Sequence, residues 1–277
     1  MADWGLEGPD LARWVGDCLD LGVTTFDLAE VYANHTCQRR FGDALRADPG
    51  LRTRLEIVTK FGIRVPVPAR PNTRRHHYNA SAVALEGAVE RALEELGVEH
   101  IEAMLVHRAD LLMDADELAA CVQRLVQRGS IGALGVSNFS AAQVELLASR
   151  LGVPCVHQLE ASVLCLDAFD DGRMDQAQRL GMPVMAWSPL GGGALFNAQD
   201  ERSRRVRSVA ESIAERHGVS PDTIAYAFLL RHPVRMLPIT GSGRIERVRA
   251  AVQALDVRLD RETWYELWTA STGEGLA

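Results

Sequence analysis

Short β-branched runs alternate with amphipathic helical runs along almost the whole chain, and a parallel sheet with crossover helices is the arrangement that accommodates this order. The strand-like runs lie at 24–29, 56–60, 101–107, 133–137, 154–158, 183–187 and 234–240. Helical runs at 9–21, 81–96, 116–128 and 140–151 each stop at a glycine, Gly22, Gly97, Gly129 and Gly152, as a left-handed C-terminal cap requires. In the helix at 81–96, Leu85, Val89, Leu93 and Leu96 form the apolar stripe, and Glu86, Glu90, Glu94 and Glu95 are expected in solvent. Ser220-Pro221-Asp222 opens a further helix with serine as N-cap. Two more helices, at 244–255 and 260–271, complete the pattern. The stretch 61–79 carries three prolines and six basic or histidine side chains and is expected to be an irregular loop at a strand's carboxyl end. No linker or repeat interrupts the order, so residues 1–277 are expected to form a single barrel-like α/β domain, a size that fits one (β/α)8 TIM barrel.

Composition narrows the function. A net charge of −7 argues against a general nucleic-acid or anionic-membrane surface. No run reaches the roughly 20 apolar residues of a membrane span. The five cysteines are scattered and never in CxxC spacing, and they read as thiols in a reducing cytoplasm. His76-His77 has no cysteine or carboxylate pair beside it, so no metal site is expected. Of the 30 basic residues, one alone is lysine, Lys60, at the end of a strand-like run. Arginine can neither shift its pKa into a useful range nor act as an amine, so a lone lysine at that place points to chemistry.

In an α/β barrel the carboxyl ends of the strands form the active face. Here those ends carry Asp27, Lys60, His107, Ser137-Asn138, Gln158, Trp187-Ser188 and Thr240-Gly241-Ser242. Any one of these serines or asparagines alone reads as a helix cap; the whole set on one rim does not read as packing. Asp27, Tyr32, Lys60 and His107 make chemical sense together. A phenol is a poor proton donor near pH 7 unless a neighbouring ammonium favours the phenolate, and Asp27 would hold that ammonium charged and oriented. The set suits delivery of a proton to a developing alkoxide, with His107 bonded to a substrate oxygen.

Seven ordered segments resemble the signatures of the aldo-keto reductases: Gly22-Val-Thr-Thr-Phe-Asp-Leu-Ala-Glu-Val-Tyr32, Ile57-Val-Thr-Lys60, Leu105-Val-His-Arg-Ala-Asp110, Gly135-Val-Ser-Asn-Phe-Ser140, His157-Gln-Leu-Glu160, Ala186-Trp-Ser-Pro-Leu-Gly-Gly-Gly193 and Pro238-Ile-Thr-Gly-Ser-Gly243. The likeness is to the bacterial oxidoreductase branch related to potassium-channel β-subunits. It implies a cytoplasmic NADP-dependent oxidoreductase acting on a small-molecule carbonyl substrate, with Tyr32 as general acid, Asp27 and Lys60 lowering its pKa, and His107 orienting the carbonyl. It further implies that Ser137, Asn138 and Gln158 hold the nicotinamide carboxamide and Trp187 stacks on its ring. Ser188, Leu190 and Gly191 to Gly193, Gly192 among them, would approach the pyrophosphate, and Gly241, Ser242, Gly243, Arg244 and Arg247 the adenosine end. Arg247 matches the family's arginine for the 2′-phosphate, which favours NADPH over NADH, although the lysine that many relatives carry six positions earlier is Gly241 here.

Two other readings share these residues. One is a slow or inactive NADPH-binding sensor or scaffold; the other is a Schiff-base aldolase using Lys60. Gly241-Ser-Gly-Arg-Ile-Glu246 begins like a dinucleotide fingerprint but lacks its third glycine and follows the last strand, which argues against a Rossmann fold. A closed barrel of this family needs eight strands. Seven are counted, so the N-terminal hairpin and first barrel strand are expected to be missing, through a start codon placed too late or because the chain is a fragment or a divergent form with an open barrel.

Overall fold

In the computed structural model, residues 4–68, 70 and 72–276 are described. The chain divides into two compact units, one ending at His157 and the other beginning at Gln158. In the first unit, α1 (Gly8–Asp20), β1 (Thr25–Asp27), α2 (Cys37–Ala47), β2 (Glu56–Phe61), β3 (Ile63–Arg64), β4 (His77–Tyr78), α3 (Ala82–Leu96), β5 (Ile101–Val106), α4 (Ala115–Gln127), β6 (Ile131–Ser137) and α5 (Ala141–Leu151) follow one another. Strands β1, β2, β5 and β6 lie side by side in that order, all parallel, with Phe26 opposite Ile57 and Lys60 opposite Leu105.

The physical reasons are local. Ser81 caps α3 by accepting from the Ala84 N–H, and Gly97 ends it at φ +68°. Ser140 and Gln143 form a full capping box on α5. Trp14 of α1 meets Phe26 of β1 edge-on, and Phe26 meets Phe41 of α2, so one aromatic chain seals the helices onto the strand. Gly42 lets α2 approach α3: a Cβ there would sit 2.2 Å from the Glu95 carbonyl oxygen.

The second unit contains β7 (His157–Glu160, whose first residue closes the first unit), α6 (Asp167–Asp170), α7 (Arg173–Leu180), β8 (Val184–Trp187), α8 (Ala194–Asn197), α9 (Glu201–His217), α10 (Pro221–Leu230), β9 (Met236–Pro238), α11 (Ile245–Gln253) and α12 (Arg261–Thr272). Its strands run in the order β7-β8-β9, and β8 pairs parallel with β9. Helix α10 is buried from Thr223 to Leu229, and Phe228 stacks on Trp264 of α12 at 4.7 Å. The parallel strands among the described residues number seven, the count made from the sequence.

Several expectations are corrected. The stretch 61–79 is not wholly irregular, because β3 and β4 pair antiparallel within it, Ile63 opposite Tyr78 and Arg64 opposite His77. The strand expected at 154–158 is regular only from His157, since Pro154 has no N–H and pairing with β6 begins at Cys155, which donates to the Leu134 carbonyl. The strand at 234–240 shrinks to Met236–Pro238, although the Ile239 N–H beyond it still donates to the Ala186 carbonyl at 2.9 Å. Ser220 precedes α10 but does not cap its backbone; its hydroxyl pairs with that of Thr223. Leu93 and Glu95 are both half-buried rather than one inside and one outside, and burial pushes the Glu95 carboxyl pKa up. Helices α2, α6, α7, α8 and α9 are not foreshadowed in the sequence pattern.

Candidate active site

The chemistry-bearing residues of the first unit gather at the carboxyl ends of β1, β2 and β5. Asp27 is the last residue of β1, Lys60 the penultimate residue of β2, and His107 the first after β5. Parallel pairing in register brings these ends together, which is why residues 33 to 80 positions apart become neighbours. Tyr32 reaches the same place on the turn after β1. That turn is held by backbone bonds from the Leu28 N–H to Val58 O (2.8 Å) and from the Glu30 N–H to Lys60 O (3.1 Å).

Lys60 is 0% exposed and uses all three ammonium hydrogens: Asp27 Oδ2 at 2.6 Å, Leu28 O at 2.9 Å and Tyr32 Oη at 3.2 Å. Nζ also lies 4.6 Å from the Tyr32 ring centroid. Burial pulls Lys60 toward the neutral amine, but the Asp27 carboxylate and the Tyr32 oxygen outweigh it and hold its pKa above the ordinary lysine value. A Schiff-base lysine needs a neutral, accessible amine, and Lys60 is neither, so the aldolase reading fails on this geometry. Tyr32, by contrast, is 38% exposed, so its ring is open to a substrate while its oxygen touches the ammonium.

His107 packs edge-on against Tyr32 with ring centroids 5.6 Å apart. Burial, with Lys60 and Arg108 nearby, pushes its pKa down to about 3, so its ring is neutral at pH 7. The four residues expected to act together are therefore brought together.

The turn beyond Tyr32 is strained. Ala33, Asn34 and His35 take φ of +55°, +53° and +66°, three successive left-handed residues without a glycine. Thr36 stitches the turn by donating its hydroxyl to the Ala33 carbonyl at 2.6 Å.

Ser137 ends β6 and is buried, and Asn138 follows at φ +57°, donating to the Ser137 hydroxyl at 2.7 Å. Buried His157 fixes this corner, because its Nε2 accepts the Phe139 N–H at 3.2 Å. The sequence reading passed over His157 and also Glu30, a buried carboxylate two residues before Tyr32. The signal for both was the same: a polar residue inside an apolar strand-end run.

In the second unit, Gln158 lies inside β7, two residues before its end, rather than at the strand end expected. The strand runs on to Glu160, two residues past the end expected. Trp187 ends β8, and Ser188 leaves it at φ +51°. Leu190 leads into Gly191, Gly192 and Gly193 at φ +60°, +62° and +93°, and a Cβ on Gly192 would meet nothing within 4 Å. Those glycines serve a left-handed path that L side chains resist, which leaves backbone open to a ligand. After β9, Gly241 is open and Ser242 accepts the Arg244 N–H at 3.2 Å. Arg244 is the N-cap of α11, Gly243 precedes it, and Arg247 lies in the first turn; both guanidiniums are exposed. A helix N-terminus flanked by two exposed guanidiniums suits an anion such as a phosphate. The residues at hand thus fit a phosphorylated dinucleotide.

A family model described as the Aldo/keto reductase family matches residues 3–270. The chain belongs to that family. An uncharacterized oxidoreductase of Bacillus subtilis is 40% identical over 98% of this chain and 91% of its own length. A 6-dehydroglucose reductase of Agrobacterium fabrum is 39% identical over 94% of this chain and 87% of its own. A putative voltage-gated potassium channel subunit beta of Schizosaccharomyces pombe is a more distant relative of this aldo/keto reductase family member, at 27% identity over 91% of this chain and 82% of its own. An aldo/keto reductase from Klebsiella pneumoniae, solved with NADP and acetate, is similar with a TM-score of 0.73 and 25% identity, over 92% of this chain and 83% of its own. Parallel strands alternating with helices, together with that neighbour, fit the α/β barrel expected.

Proposed function

We propose that this family member reduces an aldehyde or ketone to the alcohol with NADPH, with Tyr32 giving the proton. The observation that carries the reading is the contact chain Asp27–Lys60–Tyr32, in which a fully buried, charged ammonium touches the oxygen of a partly open phenol. When bound, the reduced nicotinamide supplies the hydride that attacks the carbonyl carbon. Tyr32 Oη passes its proton to the carbonyl oxygen as charge develops there. The Lys60 ammonium stabilises the phenolate left behind, and Asp27 keeps that ammonium charged and aimed. Neutral His107 hydrogen-bonds the carbonyl oxygen and fixes its direction.

Ser137, Asn138, Gln158 and Trp187 would hold the nicotinamide, Ser188, Leu190 and Gly192 the pyrophosphate, and Gly241 to Arg244 the adenosine end. NADPH is preferred over NADH because Arg247 and Arg244 are free to take a 2′-phosphate. The Klebsiella neighbour's NADP supports the cofactor, and the Agrobacterium relative's name makes a sugar aldehyde such as 6-dehydroglucose the first substrate to assay.

Loss of absorbance at 340 nm with a panel of aldehydes, ketones and quinones tests the reading. Tyr32→Phe is expected to slow turnover by roughly 10²- to 10⁴-fold with NADPH affinity nearly unchanged. Equal turnover in that variant refutes the assignment, and tight NADPH binding with silence across the whole panel favours a sensor.

A further inference from the structure

Glu30 lies between β1 and Tyr32 and its side chain is 6% exposed. Backbone pairing with β2 outlasts β1 itself, through the Leu28 N–H to Val58 O and the Glu30 N–H to Lys60 O. In a continuing parallel ladder the Gly62 N–H would next donate to the Glu30 carbonyl. Here it donates instead to the Glu30 side chain, Oε1, at 3.0 Å. The carboxylate therefore stands in for the backbone rung at the point where the chain turns off toward Tyr32, and a buried N–H stays satisfied.

The same carboxylate faces three guanidiniums. Arg64 Nη1 is 3.0 Å from Oε1 and 3.1 Å from Oε2, Arg70 Nη2 is 2.9 Å from Oε2, and Arg91 Nη2 is 3.4 Å from Oε2. Arg64 belongs to β3 and Arg70 to the segment between β3 and β4, whereas Arg91 belongs to α3. Three cations crowd this carboxylate, and although Glu95 also lies near Arg70 and Arg91, Glu30 is the anion bonded to all three, so without it they repel one another more strongly. Burial of Arg64 and the nearness of Arg70 and Arg91 work against its charge, and Glu30 works for it.

We infer that Glu30 is a positioning residue, one carboxylate that both aims the turn carrying Tyr32 and seats the β3–β4 hairpin beside it. The inference rests on Tyr32 being the proton donor. It separates two duties that two substitutions divide. Glu30→Gln keeps an oxygen for the Gly62 N–H but loses the charge facing the arginines; Glu30→Ala loses both.

The experiment compares kcat and KM for the carbonyl substrate, NADPH affinity, and limited trypsin cleavage after Arg64, Arg74 and Arg75, in variants whose thermal midpoint shows them folded. For Glu30→Gln the expected result is faster cleavage in this segment and a carbonyl KM raised about tenfold, with kcat little changed, as for loss of one hydrogen bond's worth of seating. For Glu30→Ala, kcat falls as well, by up to about 10²-fold, because a small misplacement of a reacting group is that costly. NADPH affinity is unchanged in both. A kcat in Glu30→Ala no lower than in Glu30→Gln overturns the aiming role, and unaltered cleavage in folded Glu30→Gln overturns the seating role. Should both variants fail to fold, Arg64→Gln opens the clamp from the other side: cleavage after Arg74 and Arg75 is expected to speed up, and unchanged cleavage there again overturns the seating role. The cleavage arm needs no turnover, so a wild type silent with every carbonyl would refute the reductase reading while still deciding the clamp.

Discussion

Lys60→Met separates what the buried ammonium does for stability from what it does for chemistry. The substitution fills a similar volume but leaves three acceptors behind, the Asp27 carboxylate, the Leu28 carbonyl and the Tyr32 oxygen. Tyr32 is open enough for water to replace its lost partner. The carbonyl costs about 1 kcal/mol, and the largest cost is Asp27, a carboxylate with its side chain 9% exposed and its counter-charge gone. Removing one partner of such a pair costs about 3–5 kcal/mol. For a chain of this size that lowers the thermal midpoint by roughly 6–10 °C. Adding Asp27→Asn removes the charge whose counter-ion is gone, so the double variant should recover most of that loss. Activity should not follow, because neither variant has a cation against the phenol, and both should sit with Tyr32→Phe in NADPH oxidation at 340 nm. Calorimetry beside steady-state kinetics checks both halves. A Lys60→Met midpoint within a degree of wild type would mean that the pair is not buried as described. A double variant that is stable and also active would mean that Tyr32 needs no ammonium.

Three further outcomes are expected. His107 has its pKa pushed down to about 3 in the folded chain, against about 6.5 for an ordinary histidine, so between those values the unfolded chain binds a proton that the folded chain refuses. The His107 contribution to stability is thus intact above pH 6.5 and falls as pH drops through that window, by up to about 1.4 kcal/mol per pH unit; urea unfolding at pH 7, 6, 5 and 4 should show a slope that His107→Gln reduces, with half-buried His35 and His232 contributing the remainder in the same direction. Arg247→Ala should weaken NADPH binding by roughly 10- to 100-fold, the worth of a charge-assisted hydrogen bond, and leave NADH nearly unchanged in fluorescence titrations; equal loss for both would place Arg247 away from the 2′-phosphate. Ala33→Gly should relieve a left-handed residue and stabilise the chain by up to about 1 kcal/mol, read from the denaturant midpoint, and a loss of stability would show that φ +55° is not a strain there.

The helices that could be read from the sequence are those whose burial is broad and whose ends are punctuated. Helix α3 has Leu85, Val89 and Leu96 on one face, serine before it and glycine after it, and its limits fell within a residue of expectation. Helix α9 gave no such sign despite its 17 residues, because its buried face is only Ser203, Val206, Ala210, Ile213 and Ala214. Small and polar side chains there fit beneath a surface of arginines and glutamates, and a hydrophobic pattern cannot register a stripe that is barely hydrophobic. Helix α2 hid for a related reason: Gln38 sits on its buried face, bonded to the Thr59 hydroxyl at 2.8 Å. The β3–β4 hairpin was hidden by composition, since prolines and exposed arginines argue against strands and its pairing is only two residues long.

In the candidate site, the visible residues were those whose type was rare for their surroundings. A lone lysine among arginines, and an aspartate and a histidine at the ends of apolar runs, mark themselves. Glu30, as buried as His107, sits in an apolar strand-end run too, but glutamate is common and nothing in its immediate neighbours foretells where its partners lie. They come from 32 to 61 positions further on, Gly62, Arg64, Arg70 and Arg91, and only the fold brings them to one carboxylate. A buried charge in a low-dielectric place must be paired, so its presence guarantees a network, but the identity of the network is a property of topology. For that reason the group proposed to react could be singled out from the sequence, while the partners of the carboxylate argued to aim it could be found only once β1, β2 and the hairpin had been set beside one another.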